Sequence, residues 1–153
     1  MSIVQKTWEE LVSPMLRRPK RLQVAALRHR DDGRGRKFLL ITSRETKRWI
    51  IPKGWPIRGL KSNEAALQEA WEEAGVKSGD VSSAPIGRYS YLKKQESGLG
   101  LPVETLVYSV AVDDLADSYP EVQERTRKWV SADAAADLVE EPELQAIFTA
   151  QAQ

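Results

Sequence analysis

Glu69, Glu72 and Glu73 lie at offsets of three and four in the stretch EAALQEAWEEAGV. On a helix such offsets stack side chains along one side. Three carboxylates placed together repel one another unless a cation sits over them, and their oxygens suit a hard divalent ion: magnesium, manganese or calcium. A merely solvated acidic face would mix in Lys or Arg at offsets of four, and none stands between Asn63 and Gly75. The residues therefore predict a helix that presents carboxylates to a metal.

The elements around it follow from local signals. Ser62 or Asn63 can cap the helix, with Glu64 in its first turn. Ala66, Ala70 and Ala74, with Leu67 and Trp71 beside them, form an apolar side to pack on a sheet. Gly75 takes the place just past the helix end. Upstream, RLQVAALRHR from Arg21 and KFLLIT over Lys37–Thr42 read as strands joined by the polar loop DDGRGR. RWII over Arg48–Ile51 is a third short apolar run, and the PKGWP turn follows with Gly54 and Gly59. Downstream, Pro85–Gln95 and Leu101–Val112 read as a long hairpin around ESGLG, and DDLADSYPEVQE as a polar loop. RKWV over Arg127–Val130 reads as a last strand. A helix capped by Ser131 follows near Ala132–Val139, then another from Pro142 to about Ala150. The expectation is an α/β fold with a mixed sheet between helices. Residues 1–20 read as an N-terminal extension, with helical turns near Trp8–Leu16 and a basic run, ahead of a single domain over 21–153.

At 153 residues with 41% apolar and 29% charged side chains, the chain is sized and composed as one globular domain. It has no cysteine, which excludes disulfides, thiolate metal sites and cysteine nucleophiles. With no membrane-length apolar run and no signal-like start, a cytoplasmic protein is expected. Net charge is only +1, yet residues 1–61 hold 16 Lys/Arg against 5 Asp/Glu while residues 62–153 hold 7 against 17. A basic segment leading into an acidic helix suits a polyanionic substrate bridged by metal, although mutual neutralisation across surface ion pairs accounts for the same counts. His29, the only histidine, ends the first strand and reads as structural or surface.

Gly54, Glu69, Glu72, Glu73, Gly75 and Val76 fit the spacing of the Nudix box, G, five residues, E, seven residues, R-E-U-x-E-E-x-G-U, with U a bulky aliphatic. The segment from about residue 20 to 150 is similar to that family in strand order too. Two positions depart: Leu60 stands at the box's first glutamate and Gln68 at its arginine. In the family these two can pair, so their joint loss removes support and orientation for Glu69 without removing metal ligands. Ala70 is also smaller than the usual aliphatic.

The resemblance implies a Nudix-like α/β/α sandwich and metal-dependent hydrolysis of a diphosphate linkage with Mg2+ or Mn2+. Glu72 and Glu73 would be the principal ligands, Glu69 a further ligand or the base that activates water, and the Lys53 carbonyl a part of the shell. A further acid is often supplied by the loop before the last strand; Glu124, before Glu121, is the candidate. TSRETKRWIIPKGWP and RKWVSADAAADLV most resemble the diphosphoinositol and diadenosine polyphosphate phosphohydrolases. Arg21, Arg44, Arg48, Lys53 and Arg58 are then phosphate-binding candidates, since arginine forks and lysine charges are what a highly phosphorylated ligand requires. Tyr89, Tyr91, Trp55 and Trp8 are candidates to stack on adenine. ADP-ribose, a nucleotide sugar or capped RNA keeps the chemistry and changes the substrate. Leu60 and Gln68 motivate a phosphate-ligand-binding module with weak turnover. Other nucleic-acid binding lacks an aromatic-and-basic signature. The expected partner is a phosphorylated small molecule, with the chain a monomer or homodimer and no membrane contact.

Overall fold

The computed structural model describes residues 21–152, so the expected extension and its helical turns lie outside the described residues. Eight strands form one sheet: β1 Arg21–Asp31, β2 Arg36–Thr42, β3 Trp49–Ile50, β4 Lys53–Gly54, β5 Val76–Val81, β6 Gly87–Lys94, β7 Gly100–Leu115 and β8 Arg127–Ser131. Three helices complete it: α1 Ser62–Ala74, α2 Ala132–Leu138 and α3 Pro142–Gln151.

The central path runs β3–β2–β1–β7–β5, with β4 beside β1, β6 beside β7 and β8 beside β2. β1 and β7 run parallel from Arg21 against Val103 to His29 against Ala111, and the other pairs are antiparallel. The sheet is therefore mixed, as expected. Opposite β7, β1 meets β4 at Val24 and Ala25 and β2 only from His29 onward. That change of partner parts the sheet edge just where Lys53 and Gly54 stand.

Alternation along β1 divides the core. Val24 and Ala26 face one side, packed with Ala65, Ala66, Ala70 and Ala74 of α1. Ala25 and Leu27 face the other, packed with Ala132, Ala135, Leu144 and Phe148 of α2 and α3. The small alanine row lets α1 lie close to the strands, while Phe38 and Phe148 meet edge to face at 5.5 Å on the opposite layer. Helices thus cover both faces.

Local signals hold with small corrections. The N-cap of α1 is Lys61, whose backbone N–H donates to Glu64 Oε1 at 2.8 Å, and Ser62 opens the helix instead of capping it. Gly75 sits at φ 74°, and Ser131 Oγ accepts from Ala134 N–H. Val76–Val81 is a strand that the sequence pattern does not announce, and β7 extends to Leu115, into the stretch expected to be loop. No helix among the described residues is long and apolar enough to cross a membrane. His29 packs against Phe38, and burial, then the nearby Arg36, lowers its pKa, consistent with a structural role.

Candidate active site

Two carboxylates of α1 line a cavity of about 1160 Å³. Glu69 and Glu73 line it from the helix, Lys53, Gly54 and Trp55 from β4 and its turn, and Glu121 and Arg125 from the loop before β8. Tyr91, Lys93 and Lys94 of β6 also line it, as do Arg48 and Glu141, which pair at one end.

Gly54 is required by this packing. A Cβ there would lie 2.2 Å from Glu69 Cδ and 2.4 Å from Glu69 Oε1, well inside contact distance. The absent side chain is what lets the Glu69 carboxylate lie along the backbone. Glu73 is 6% exposed and anchored on both oxygens. Its Oε2 accepts from the Lys53 backbone N–H at 2.8 Å, and its Oε1 accepts from Arg125 Nη2 at 3.0 Å. Arg125 also donates to Glu121 Oε1 from Nε at 3.2 Å and Nη2 at 3.1 Å, and to the Thr42 carbonyl from Nη1 at 3.1 Å.

The crowding shows in the acid–base balance. Burial, reinforced by Glu73, Glu72 and Glu121, raises the Glu69 carboxyl to about 7. Burial also raises Glu73, against the pull of Arg125 and Lys53. It lowers the Lys53 ammonium, whose Nζ stands 5.2 Å over the Tyr91 ring.

The sequence candidates separate into those brought together and those kept apart. Glu69, Glu73, Lys53, Arg44 and Arg48 line the cavity; Glu72, Glu124, Arg21 and Arg58 are not among its lining residues. The Glu72 side chain instead accepts from Gln68 Nε2 at 3.3 Å, while its backbone carbonyl receives Glu121 N–H. Of the two loop acids it is Glu121 that lines the cavity, whereas Glu124 lies 3.7 Å from Arg44. Arg48 is held by Glu141 at 2.5 Å, with Glu140 at 3.7 Å. Arg44, more than half exposed, has Glu121 at 3.8 Å. Of the aromatic candidates, Trp55 and Tyr91 line the cavity, Tyr89 is buried in the core, and Trp8 lies outside the described residues. Arg125, Glu141, Lys93 and Lys94 are site residues that sequence reasoning missed. The only signal for Arg125 was its place, one residue after the candidate Glu124.

The donor set suits a hard cation in kind: Glu69, Glu73 and Glu121 share one cavity and carry mutual repulsion that positive charge relieves. Among the described residues, no three acidic or histidine side chains surround one common cation position as they stand. Arg125 engages one oxygen of Glu73 and one of Glu121.

The NUDIX domain model matches residues 19–151, nearly the whole chain. The chain belongs to the NUDIX family. The match takes in the glutamate helix, both walls of the cavity and the loop carrying Arg125. Nudix hydrolase 4 of Arabidopsis thaliana is 31% identical over 100 residues, covering 65% of this chain and 46% of the relative. This NUDIX chain spans about half to two-thirds of the length of the curated relatives it matches. Among solved structures, the C. elegans Ap4A hydrolase superposes with a TM-score of 0.62 at 18% identity, over 86% of this chain and 95% of the other. The NUDIX domain of Shewanella oneidensis NrtR, complexed with ADP ribose, superposes with a TM-score of 0.63 at 15% identity, over 98% and 97%. At such identities the superpositions establish a shared fold.

Proposed function

We propose that this chain is a divalent-metal-dependent pyrophosphohydrolase that cleaves a diphosphate linkage in a dinucleoside polyphosphate. The observation that carries this reading is the meeting of both charges in one cavity, lined by Glu69, Glu73 and Glu121 and by Lys53, Lys93 and Lys94. Magnesium or manganese at the carboxylates supplies charge for phosphate oxygens and acidifies water. Glu73, Glu121 and the Lys53 carbonyl would hold it, and Glu72 would join this set on the strength of the box spacing. Glu69, lying along Gly54, is the carboxylate that takes the proton from the attacking water. The cavity's lysines orient the phosphate chain as point charges. Trp55 and Tyr91 offer aromatic faces to a nucleobase.

The far end of the cavity favours a nucleotide over a diphosphoinositol polyphosphate. A ring bearing many phosphates is repelled by carboxylates, and here Arg48 is already paired with Glu141 with Glu140 close by. Arg21 and Arg58 stand away from the cavity wall. A hydroxyl-bearing nucleoside meets no such repulsion.

The test is hydrolysis of diadenosine tetraphosphate, ADP-ribose and a diphosphoinositol polyphosphate, each with Mg2+ and with Mn2+. Diadenosine tetraphosphate is expected to exceed the inositol substrate at least about tenfold in kcat/KM, and Glu73→Gln to lose at least about a hundredfold. Faster cleavage of the inositol compound reverses the substrate choice. Binding without cleavage under either metal favours the second reading, a ligand-binding module in which Arg125 already occupies Glu73.

A further inference from the structure

The box of this chain lacks two of its usual members, yet its last glutamate is held by both oxygens. Gln68, at the arginine position, is exposed and donates to Glu72 at 3.3 Å. Leu60, at the first glutamate position, is 41% exposed. Neither fixes a carboxylate in the cavity.

Arg125 does. Its side chain is 7% exposed and spends its planar fork on three elements: Glu73 of α1, Glu121 of its own loop and the end of β2 through the Thr42 carbonyl. A buried guanidinium with several fixed partners is costly to bury and informative when present, because its geometry sets the geometry of what it binds. Glu73 is clamped between this fork and the Lys53 N–H, so both of its oxygens have fixed directions. Glu121 is drawn into the cavity by the same fork, while Glu124, which lacks that partner, is not a lining residue. We infer that Arg125 is a positioning residue for the Glu73 and Glu121 carboxylates, supplying from the loop before β8 carboxylate support of the kind that Leu60 and Gln68 no longer give Glu69 within the box.

The inference rests on the proposed metal site, and manganese binding tests it without any turnover. Side chains that orient metal-ligating groups are worth roughly ten- to a hundredfold in metal affinity. Mn2+ binding, followed by the loss of free Mn2+ signal in electron paramagnetic resonance, is measured for the wild type, Arg125→Gln and Arg125→Lys, with circular dichroism confirming the fold. Arg125→Gln is expected to weaken Mn2+ at least about tenfold, and Arg125→Lys by a comparable factor, because one ammonium cannot span both carboxylates and the Thr42 carbonyl. If Arg125 were only a competing cation, Arg125→Gln would bind Mn2+ as well as or better than wild type and Arg125→Lys would match wild type. Either result overturns the inference. Should Arg125→Gln fail to fold, Arg125→Lys decides alone.

The replacement part has its own arm. Installing Leu60→Glu with Gln68→Arg in the Arg125→Gln background is expected to regain most of the lost affinity, while the same pair in the wild type changes it less than about threefold. No gain in the Arg125→Gln background overturns the claim that the loop substitutes for the box. A wild type that binds Mn2+ but cleaves no diphosphate sinks the proposed activity and leaves these ratios to judge Arg125. A wild type that binds no Mn2+ sinks both.

Discussion

Gly54 and Glu69 act as one unit, and their contact separates activity from stability. Adding a methyl group at Gly54 places it 2.2 Å from a carboxyl carbon at the end of a flexible side chain, so the carboxylate moves and the backbone does not. Gly54→Ala is therefore expected to keep its unfolding midpoint within a few degrees while losing roughly ten- to a hundredfold in kcat. A variant that keeps full turnover removes Glu69 from the chemistry. The same carboxyl carries a pH signature. Burial first, and then Glu73, Glu72 and Glu121, raise it from an ordinary 4.5 to about 7 in the folded protein. The folded state thus holds this proton more tightly than the unfolded chain does. The stability it contributes is complete below pH 4.5 and is lost as pH rises through 7. Metal-free protein in chelator is expected to melt lower at pH 8 than at pH 5.5, and Glu69→Gln to flatten that slope. Parallel slopes for the two proteins contradict the assignment.

At the scale of elements, α1 is held at its C-terminal end by features that only a glycine permits. Gly75 has φ 74°, and a Cβ there would come within 2.4 Å of the Tyr119 ring and 2.9 Å of Arg127 Nη1. Arg127 in turn donates to the Ala74 carbonyl at 2.8 Å and lies over Tyr119 at 4.8 Å, placing positive charge at the negative end of the helix. Gly75→Ala is expected to cost at least about 2 kcal/mol in denaturant unfolding, the left-handed strain and the collision adding. A loss below about 0.5 kcal/mol would mean that the turn relaxes freely. This helix was legible in the sequence because its alanine row, its carboxylates and Gly75 are all local signals. β5 was not, because VKSGDV neither alternates nor runs apolar, and its pairing with β7 shifts register twice. β4 was not, because two residues make a strand only through their partners Val24 and Ala25. The site divides the same way. Glu69 and Glu73 could be placed from spacing, but Glu121 was ranked behind Glu124 because only Arg125 distinguishes them. Arg48 was expected to meet phosphate, and no local pattern reveals a partner 93 residues away at Glu141.

At the scale of the molecule, the basic first part and the acidic second part meet at the cavity, Lys53 against Glu69 and Glu73, and at its far end, Arg48 against Glu140 and Glu141. The uneven charge division noted along the sequence thus serves both readings, a polyanion site and internal neutralisation. The sheet centre sets a further condition. β1 is the first described strand, and along its full parallel edge it waits for β7, some eighty positions later in the chain. Such pairing is slow, because a long loop must close before any contact rewards it. The β6–β7 hairpin, closed by a short loop, can form on its own first and offer the edge that β1 needs. Synthesis runs the other way, delivering β1, β2 and the glutamate helix before their organising strand exists. A chain ended at Gly98 is expected to be cleaved by a trace of protease under conditions that leave the full chain intact; equal resistance would mean that the first six strands fold without β7. During its making, this protein carries its glutamate helix for some forty residues before the strand that completes its sheet is finished.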